Sequence, residues 1–250
     1  MANQLFINKK ISAFDKKIIV SGDKSLSIRW VLLASQAIGK SKSYNLLMSE
    51  DVVAALEAIK KLGIKVSVSK GHCEIYGKGI NNFKYKSGLV IDSKNSGTLG
   101  RLILGLLVKS PVKIKIIGDK SLSKRDFSRV TVPLEKFGAK FFYKVKNKLP
   151  LSILGSKSLK GINYIENKGS AQCKSSVMLA ALNSVGTTSI KAKKSRDHTE
   201  LLFKYLKIPI KVRKTKKFDF IDVKKPKKIN AFNYQIPGDI SSSAFFMVLT

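Results

Sequence analysis

A chain of 250 residues with a hydrophobic fraction of 44% is long enough to bury a core, in one large domain or two ordinary ones, and too apolar to be disordered. Its formal net charge of +32 rests on 48 basic residues, of which only six are Arg. The lysines run the whole length without a basic tail or a block interleaved with aromatics, which argues against a dedicated nucleic-acid reader and leaves a solvated surface that attracts polyanions.

In chain order, the first distinctive run is Ser21-Gly22-Asp23-Lys24-Ser25-Leu26-Ser27-Ile28-Arg29, which opens a helix predicted over 25–38. Ser25 and the first backbone amides can donate to an anion there, and Arg29 lies one turn on, on the same face. An amphipathic helix follows over 50–63, with Val52, Leu56, Ile59 and Leu62 at helical spacing and Gly63 as its C-terminal cap. The alternation of 64–68 then reads as a half-buried strand. Asp92-Ser93-Lys94-Asn95-Ser96-Gly97-Thr98-Leu99-Gly100-Arg101 sets small and hydroxyl residues before a helix predicted over 98–107. The run Leu102–Val108 is far too short to span a bilayer.

The octapeptide Gly22–Arg29 then recurs as Gly118–Arg125, with seven of eight positions the same. If the second copy is helical, Arg125 and Arg129 share a face. A helix over 130–138 and a strand over 139–143 come next. Lys168-Gly169-Ser170-Ala171-Gln172-Cys173-Lys174-Ser175 opens a helix predicted over 171–185, and Ser195-Arg196-Asp197-His198-Thr199-Glu200 opens another over 197–206, with a strand over 208–212. Phe218–Val223 is a strand inside a Lys-rich stretch. Ile236–Ser243 opens a last helix, in which the chain stops at Thr250. Helix pairs leading into strands recur with a period of roughly seventy residues, enough for three βαβαββ units.

Each junction alone reads as well as a capped helix with solvated cations. His198 and Glu200 are not at zinc-helix spacing, and Cys73 and Cys173 stand apart, without metal or disulfide spacing, as suits a reducing cytoplasm. Residues 1–11 lack the apolar stretch of a secretory signal. Five anion-friendly junctions in one repeated scaffold carry more weight than any one of them. Five of the six arginines lie in or beside them, where a planar two-pronged donor suits carboxylate or phosphate.

Taken together, these runs resemble the 5-enolpyruvylshikimate-3-phosphate (EPSP) synthases: Gly22–Ser25 with Arg29, Asn95–Thr98 with Arg101, Lys124-Arg125, Ser170-Ala171-Gln172 and Ser195–Glu200. Leu149-Pro150-Leu151 and Pro237–Ser242 fit the same pattern in the same order. The resemblance implies an α/β (α+β) fold of two similar domains, each of three βαβαββ units. Residues 21–235 would form one domain. Residues 1–20 would belong to the other, and 236–250 would cross into its first helix, so that the chain is truncated and the second domain mostly missing.

The implied reaction moves the enolpyruvyl group of phosphoenolpyruvate to the 5-hydroxyl of shikimate 3-phosphate, releasing phosphate, in a cytoplasmic enzyme of the shikimate pathway. Lys24, Ser25, Arg29, Ser170, Ala171, Gln172 and Ser195 would hold shikimate 3-phosphate. Lys24, Gly97, Arg125 and Gln172 would hold phosphoenolpyruvate, with Lys24 and Arg125 stabilising developing charge. Lys120 and Ser121 of the second octapeptide would be local structure only. No metal, organic cofactor, specific nucleic acid or membrane is implied, and the full-length protein would be a monomer. Gly97 keeps the family's usual small residue, which implies that glyphosate competes with phosphoenolpyruvate in a full-length version. The proton-accepting Asp, a Lys and two Arg belong to the family's second domain, so this form is expected to be inactive alone. The sister enolpyruvyl transferase of UDP-N-acetylglucosamine fits less well, since Asp23-Lys24-Ser25 and Arg196–Glu200 follow the shikimate enzyme and no catalytic Cys loop is evident. A Lys-rich nucleic-acid-binding protein on a related repeat fold is the alternative from another class.

Overall fold

The computed structural model describes residues 17–248, so most of the expected N-terminal segment 1–20, together with Leu249 and Thr250, lies outside the described residues. The first repeat contains α1 (Lys24–Gln36), β1 (Ile38–Tyr44), α2 (Glu50–Lys61), β2 (Lys65–Ser69) and β3 (His72–Lys78). The second contains β4 (Val90–Asp92), α3 (Gly97–Leu106), β5 (Ile114–Ile117), the short helices α4 (Lys120–Ser123) and α5 (Ser128–Glu135), β6 (Lys140–Tyr143) and β7 (Leu151–Leu154). The third runs through β8 (Asn163–Glu166), α6 (Ala171–Ala181), β9 (Thr187–Lys193), α7 (His198–Tyr205), β10 (Ile210–Lys214) and β11 (Phe218–Lys224). After it come β12 (Asn233–Gln235) and α8 (Ile240–Met247).

Each repeat builds a four-stranded sheet of one design, in the orders β4-β5-β7-β6, β8-β9-β11-β10 and β12-β1-β3-β2. The leading pair is parallel and the other pairs are antiparallel, as a helical crossover followed by a hairpin requires. The leading strand of the first sheet comes from the far end of the chain. β12 pairs with β1 in parallel, with Lys42, Ser43 and Tyr44 opposite Asn233, Tyr234 and Gln235.

The first long helix of each repeat, α1, α3 and α6, forms the centre. α1 is buried without a break from Leu26 to Gln36, and α6 from Cys173 to Ala181. A helix buried all round is an interior helix, which is why neither shows a clean polar face in the sequence. α3 packs on both α1 and α6. Its contact with α6 is close because Gly105 faces the Ser176 carbonyl, where a Cβ would collide.

The predicted elements mostly shift by a residue or two, within ordinary fraying. Three differences have physical causes. Ile38 opens β1 rather than closing α1, because its amide donates to Ile229 O at 2.8 Å and its carbonyl accepts from Ala231 N at 3.1 Å. α6 ends at Ala181 instead of 185, and Asn183 and Ser184 turn the chain. Arg125 and Arg129 do not share a helix: α4 stops at Ser123, and α5 starts at Ser128 after an Asp126 turn.

Candidate functional site

Both octapeptide copies fold the same way at first. Asp23 caps α1 by accepting from Leu26 N at 2.7 Å, and Asp119 caps α4 by accepting from Leu122 N at 2.6 Å. They diverge one turn later. Ile28-Arg29-Trp30-Val31-Leu32-Leu33 carries α1 on through the core, whereas Lys124-Arg125-Asp126 has nothing apolar to bury and the helix ends. Arg29 is therefore fixed one helical turn inside the first copy, and Arg125 lies exposed beyond the end of the second.

The first copy is braced from the distal end of the chain. Gly22 forms a bridge with Gly238 and leaves no room for a side chain against the Asn45 carbonyl, while Asp23 N donates to Pro237 O at 2.8 Å. Lys24 is half-exposed and lies 3.6 Å from Asp51 of α2, a contact weak enough for a ligand to displace. Ser25 spans α1's first turn beside it.

Arg29 is 4% exposed. Its Nε donates to Thr199 Oγ1 at 2.8 Å, Nη2 to Ser175 Oγ at 3.0 Å and Nη1 to the Ser25 carbonyl at 3.0 Å. Thr199 Oγ1 in turn donates to Ser175 Oγ at 2.7 Å. Arg29 thus ties α1 to α6 and α7 through neutral oxygens alone. Burial lowers its pKa to about 10, against the pull of Glu200 and Asp23, which leaves it charged at neutral pH.

The N-terminal turns of α3 and α6 meet through Gln172. Its Nε2 donates to Thr98 Oγ1 at 2.9 Å and its Oε1 accepts from Arg101 Nη1 at 2.8 Å. Arg101 also lies over the Phe127 ring, 5.2 Å from its centroid. Burial, with Arg125 and Arg129 nearby, lowers the Arg101 pKa. A Cβ at Gly97 would stand 2.9 Å from Arg101 Nη1 and 3.1 Å from Arg125 Nη1, so both guanidinium groups crowd the first residue of α3.

Ser170 caps α6 by accepting from Cys173 N at 3.3 Å. The loop before it is shaped by Glu166, whose carboxylate accepts from Lys168 N at 3.1 Å and Ser170 N at 2.9 Å and lies 3.4 Å from Arg129 Nη2. Ala171 opens the helix beside Gln172. Ser195 is half-buried on the loop before α7, and its hydroxyl has no hydrogen-bond partner; neither has His198 Nδ1. Burial first, then the Arg29 charge, lowers the His198 pKa. Asp197 does not cap α7 with its side chain. It binds Lys214 Nζ at 2.8 Å instead.

Beneath this surface Lys174, on α6, reaches Glu200, on α7, with Nζ 2.6 Å from Oε1. Lys174 is 0% exposed, and its Nζ and Glu200 Oε2 have no hydrogen-bond partner, so the pair is held by charge alone. Its sequence signal was faint: Lys174 falls at helical spacing with Val177, Met178 and Ala181, on a face otherwise apolar. Thr98, Ser175, Thr199 and Glu166 also went unassigned in the sequence. Among the described residues no group of three or more His, Cys, Asp or Glu is placed to hold a metal ion. None of the helices there is long and apolar enough to cross a membrane.

The N-termini of α1, α3, α6 and α7, joined by Arg29 and Gln172 and ringed by Lys24, Arg101 and Arg125, make a surface for a ligand with several negative charges. Residues 8–250 match the family model described as EPSP synthase (3-phosphoshikimate 1-carboxyvinyltransferase). The chain belongs to the EPSP synthase family. Its relatives include the 3-phosphoshikimate 1-carboxyvinyltransferase of Bacillus subtilis (strain 168), 38% identical over 240 residues, which span 95% of this chain and 55% of that protein. The protein of the same name from Ruthia magnifica subsp. Calyptogena magnifica is 41% identical over 244 residues, 97% of this chain and 55% of its own. The fold matches a solved EPSP synthase from Acinetobacter baumannii with a TM-score of 0.86 at 35% identity, over 94% of this chain and 53% of that one. The chain therefore spans about half the length of the EPSP synthases it matches, as the sequence implied, and the mixed α/β fold of three repeats agrees with theirs.

Proposed function

We propose that this chain is the shikimate 3-phosphate-binding half of an enzyme that transfers the enolpyruvyl group of phosphoenolpyruvate to the 5-hydroxyl of shikimate 3-phosphate and releases phosphate. The observation that carries the reading is Arg29: a buried guanidinium, hydrogen-bonded only to neutral oxygens, at the meeting point of α1, α6 and α7. A charge held that way has attraction left for an anion.

In this reading Ser25, Arg29, Ser170, Ala171, Gln172 and Ser195 hold shikimate 3-phosphate. Ser195 Oγ is an unpartnered hydroxyl that a ligand oxygen would satisfy. Gly97, Arg125 and Gln172 take phosphoenolpyruvate, and Lys24 reaches both ligands once Asp51 releases it. Lys24 and Arg125 are exposed here, as suits groups that a second domain would cover. Fixed cations and amides also stabilise the charge of a tetrahedral intermediate, because they need no reorganisation as it forms. Residues 21–235 make the binding domain, with 1–20 and 236–250 belonging to its partner domain, in a monomeric cytoplasmic protein without specific affinity for nucleic acid.

Calorimetric titration at moderate salt tests this, with shikimate 3-phosphate, UDP-N-acetylglucosamine and a single-stranded oligonucleotide as ligands. Saturable binding of shikimate 3-phosphate, abolished by Arg29→Ala, is expected. Preference for the nucleotide sugar, or salt-steep oligonucleotide binding without sugar-phosphate binding, would sink the proposal.

A further inference from the structure

We propose that Lys174 is a positioning residue that engages Glu200 and so keeps the Arg29 guanidinium free for the anionic group of the ligand. The inference rests on the reading of Arg29 given above. A buried guanidinium ordinarily takes a carboxylate partner. Here one is at hand and is withheld. Glu200 follows Thr199, which accepts from Arg29 Nε, and it is the strongest attractive charge acting on Arg29.

Its carboxylate instead faces Lys174, 2.6 Å away, in a pair that is fully enclosed. Lys174 in turn precedes Ser175, the acceptor for Arg29 Nη2. Ion pair and hydrogen bonds thus join the same two helices at adjacent residues, with the charges paired on one layer and Arg29 held by hydroxyls on the next. Asp23, the other attractive charge, is engaged by the Leu26 amide. Of the other charges acting on Arg29, Arg196 offsets Asp23, so with Lys174 and Arg29 set against Glu200 the cluster carries one unbalanced positive charge for a ligand anion to neutralise.

This role separates from that of a mere clamp between α6 and α7 in a double-variant cycle, read by calorimetric titration of the 250-residue chain with shikimate 3-phosphate, with thermal melts to verify folding. Lys174→Met releases Glu200 to Arg29 and is expected to weaken binding by about tenfold or more. Lys174→Met combined with Glu200→Gln removes the competitor and should return affinity to within about threefold of the parent chain. Glu200→Gln alone should bind at least as well as the parent. A clamp predicts the reverse, with all three variants weakened and the double no better than Lys174→Met. That pattern, or an unchanged Lys174→Met, overturns the proposal.

If Lys174→Met does not fold, the double variant decides, since exchanging a whole buried ion pair for neutral groups is tolerated better than stranding one charge. Near-parental affinity in the folded double variant then supports the proposal, and weakened affinity overturns it. A parent chain that binds no shikimate 3-phosphate overturns the functional reading together with this one. Binding by the parent without the recovery pattern overturns the positioning role alone.

Discussion

At Gly97 the guanidinium groups of Arg101 and Arg125 approach the start of α3 so closely that an added methyl would stand 2.9 and 3.1 Å from them. Both are the far ends of flexible side chains rather than backbone, so Gly97→Ala should fold with little change in melting temperature. The cost falls on the site, because Arg101 anchors Gln172 and Arg125 faces the same turn. Gly97→Ala is expected to weaken phosphoenolpyruvate binding in the presence of shikimate 3-phosphate, and glyphosate binding at least as much, by roughly tenfold in a fluorescence titration. Equal affinities in the two chains would show that the arginines are not limiting. His198 gives a pH prediction at the same scale. Burial and the Arg29 charge lower its pKa below the ordinary 6.5, so below that pH the unfolded chain binds the proton that the folded chain refuses. Stability should therefore fall as pH drops through and below 6.5. His198→Gln should lose less stability than the parent chain between about pH 7.5 and about pH 5.5 in thermal melts.

Among the elements, the contact between α3 and α6 matters most for the site, since Thr98, Arg101 and Gln172 depend on it. Gly105 permits it. Gly105→Ala would drive a methyl into the Ser176 backbone, which cannot rotate away, and should destabilise the fold by about 1–3 kcal/mol in urea unfolding. Elements of this kind were legible in the sequence where a cap and an apolar run coincide, as in α2 with Gly63 and α3 with Ser96. β12 was not: Asn-Tyr-Gln has no pattern of its own, and it is a strand only because β1 lies alongside, about 190 residues earlier. The site divides the same way. Arg29 and Gln172 lie in short runs whose residue types announce an anion, while Lys174 and Glu200 look like surface charges until the fold encloses both. No local rule reports a partner that is supplied by a different helix.

For the whole molecule, three repeats close a core around α1, α3 and α6, yet α8 contributes nothing to it. Every described residue of α8 is at least partly exposed, with Phe245 at 78% and Val248 just beyond the helix at 85%, and Ile240 is exposed on its first turn. An apolar surface of that kind marks an interaction face. Self-association through it must overcome the repulsion between chains that each carry +32. In low salt the charge should keep the chain dispersed, and added salt should screen it and allow association through α8. Light scattering of the 250-residue chain is expected to rise with salt, while the signal of an uncharged polarity-sensitive dye falls as association covers the face. An anionic dye would report the lysines instead. Replacing Phe245 and Val248 by Ser should remove both responses and leave the melting temperature unchanged, because neither side chain is packed in the core. Scattering that falls with salt, or that persists in the double variant, would place the adhesive surface elsewhere.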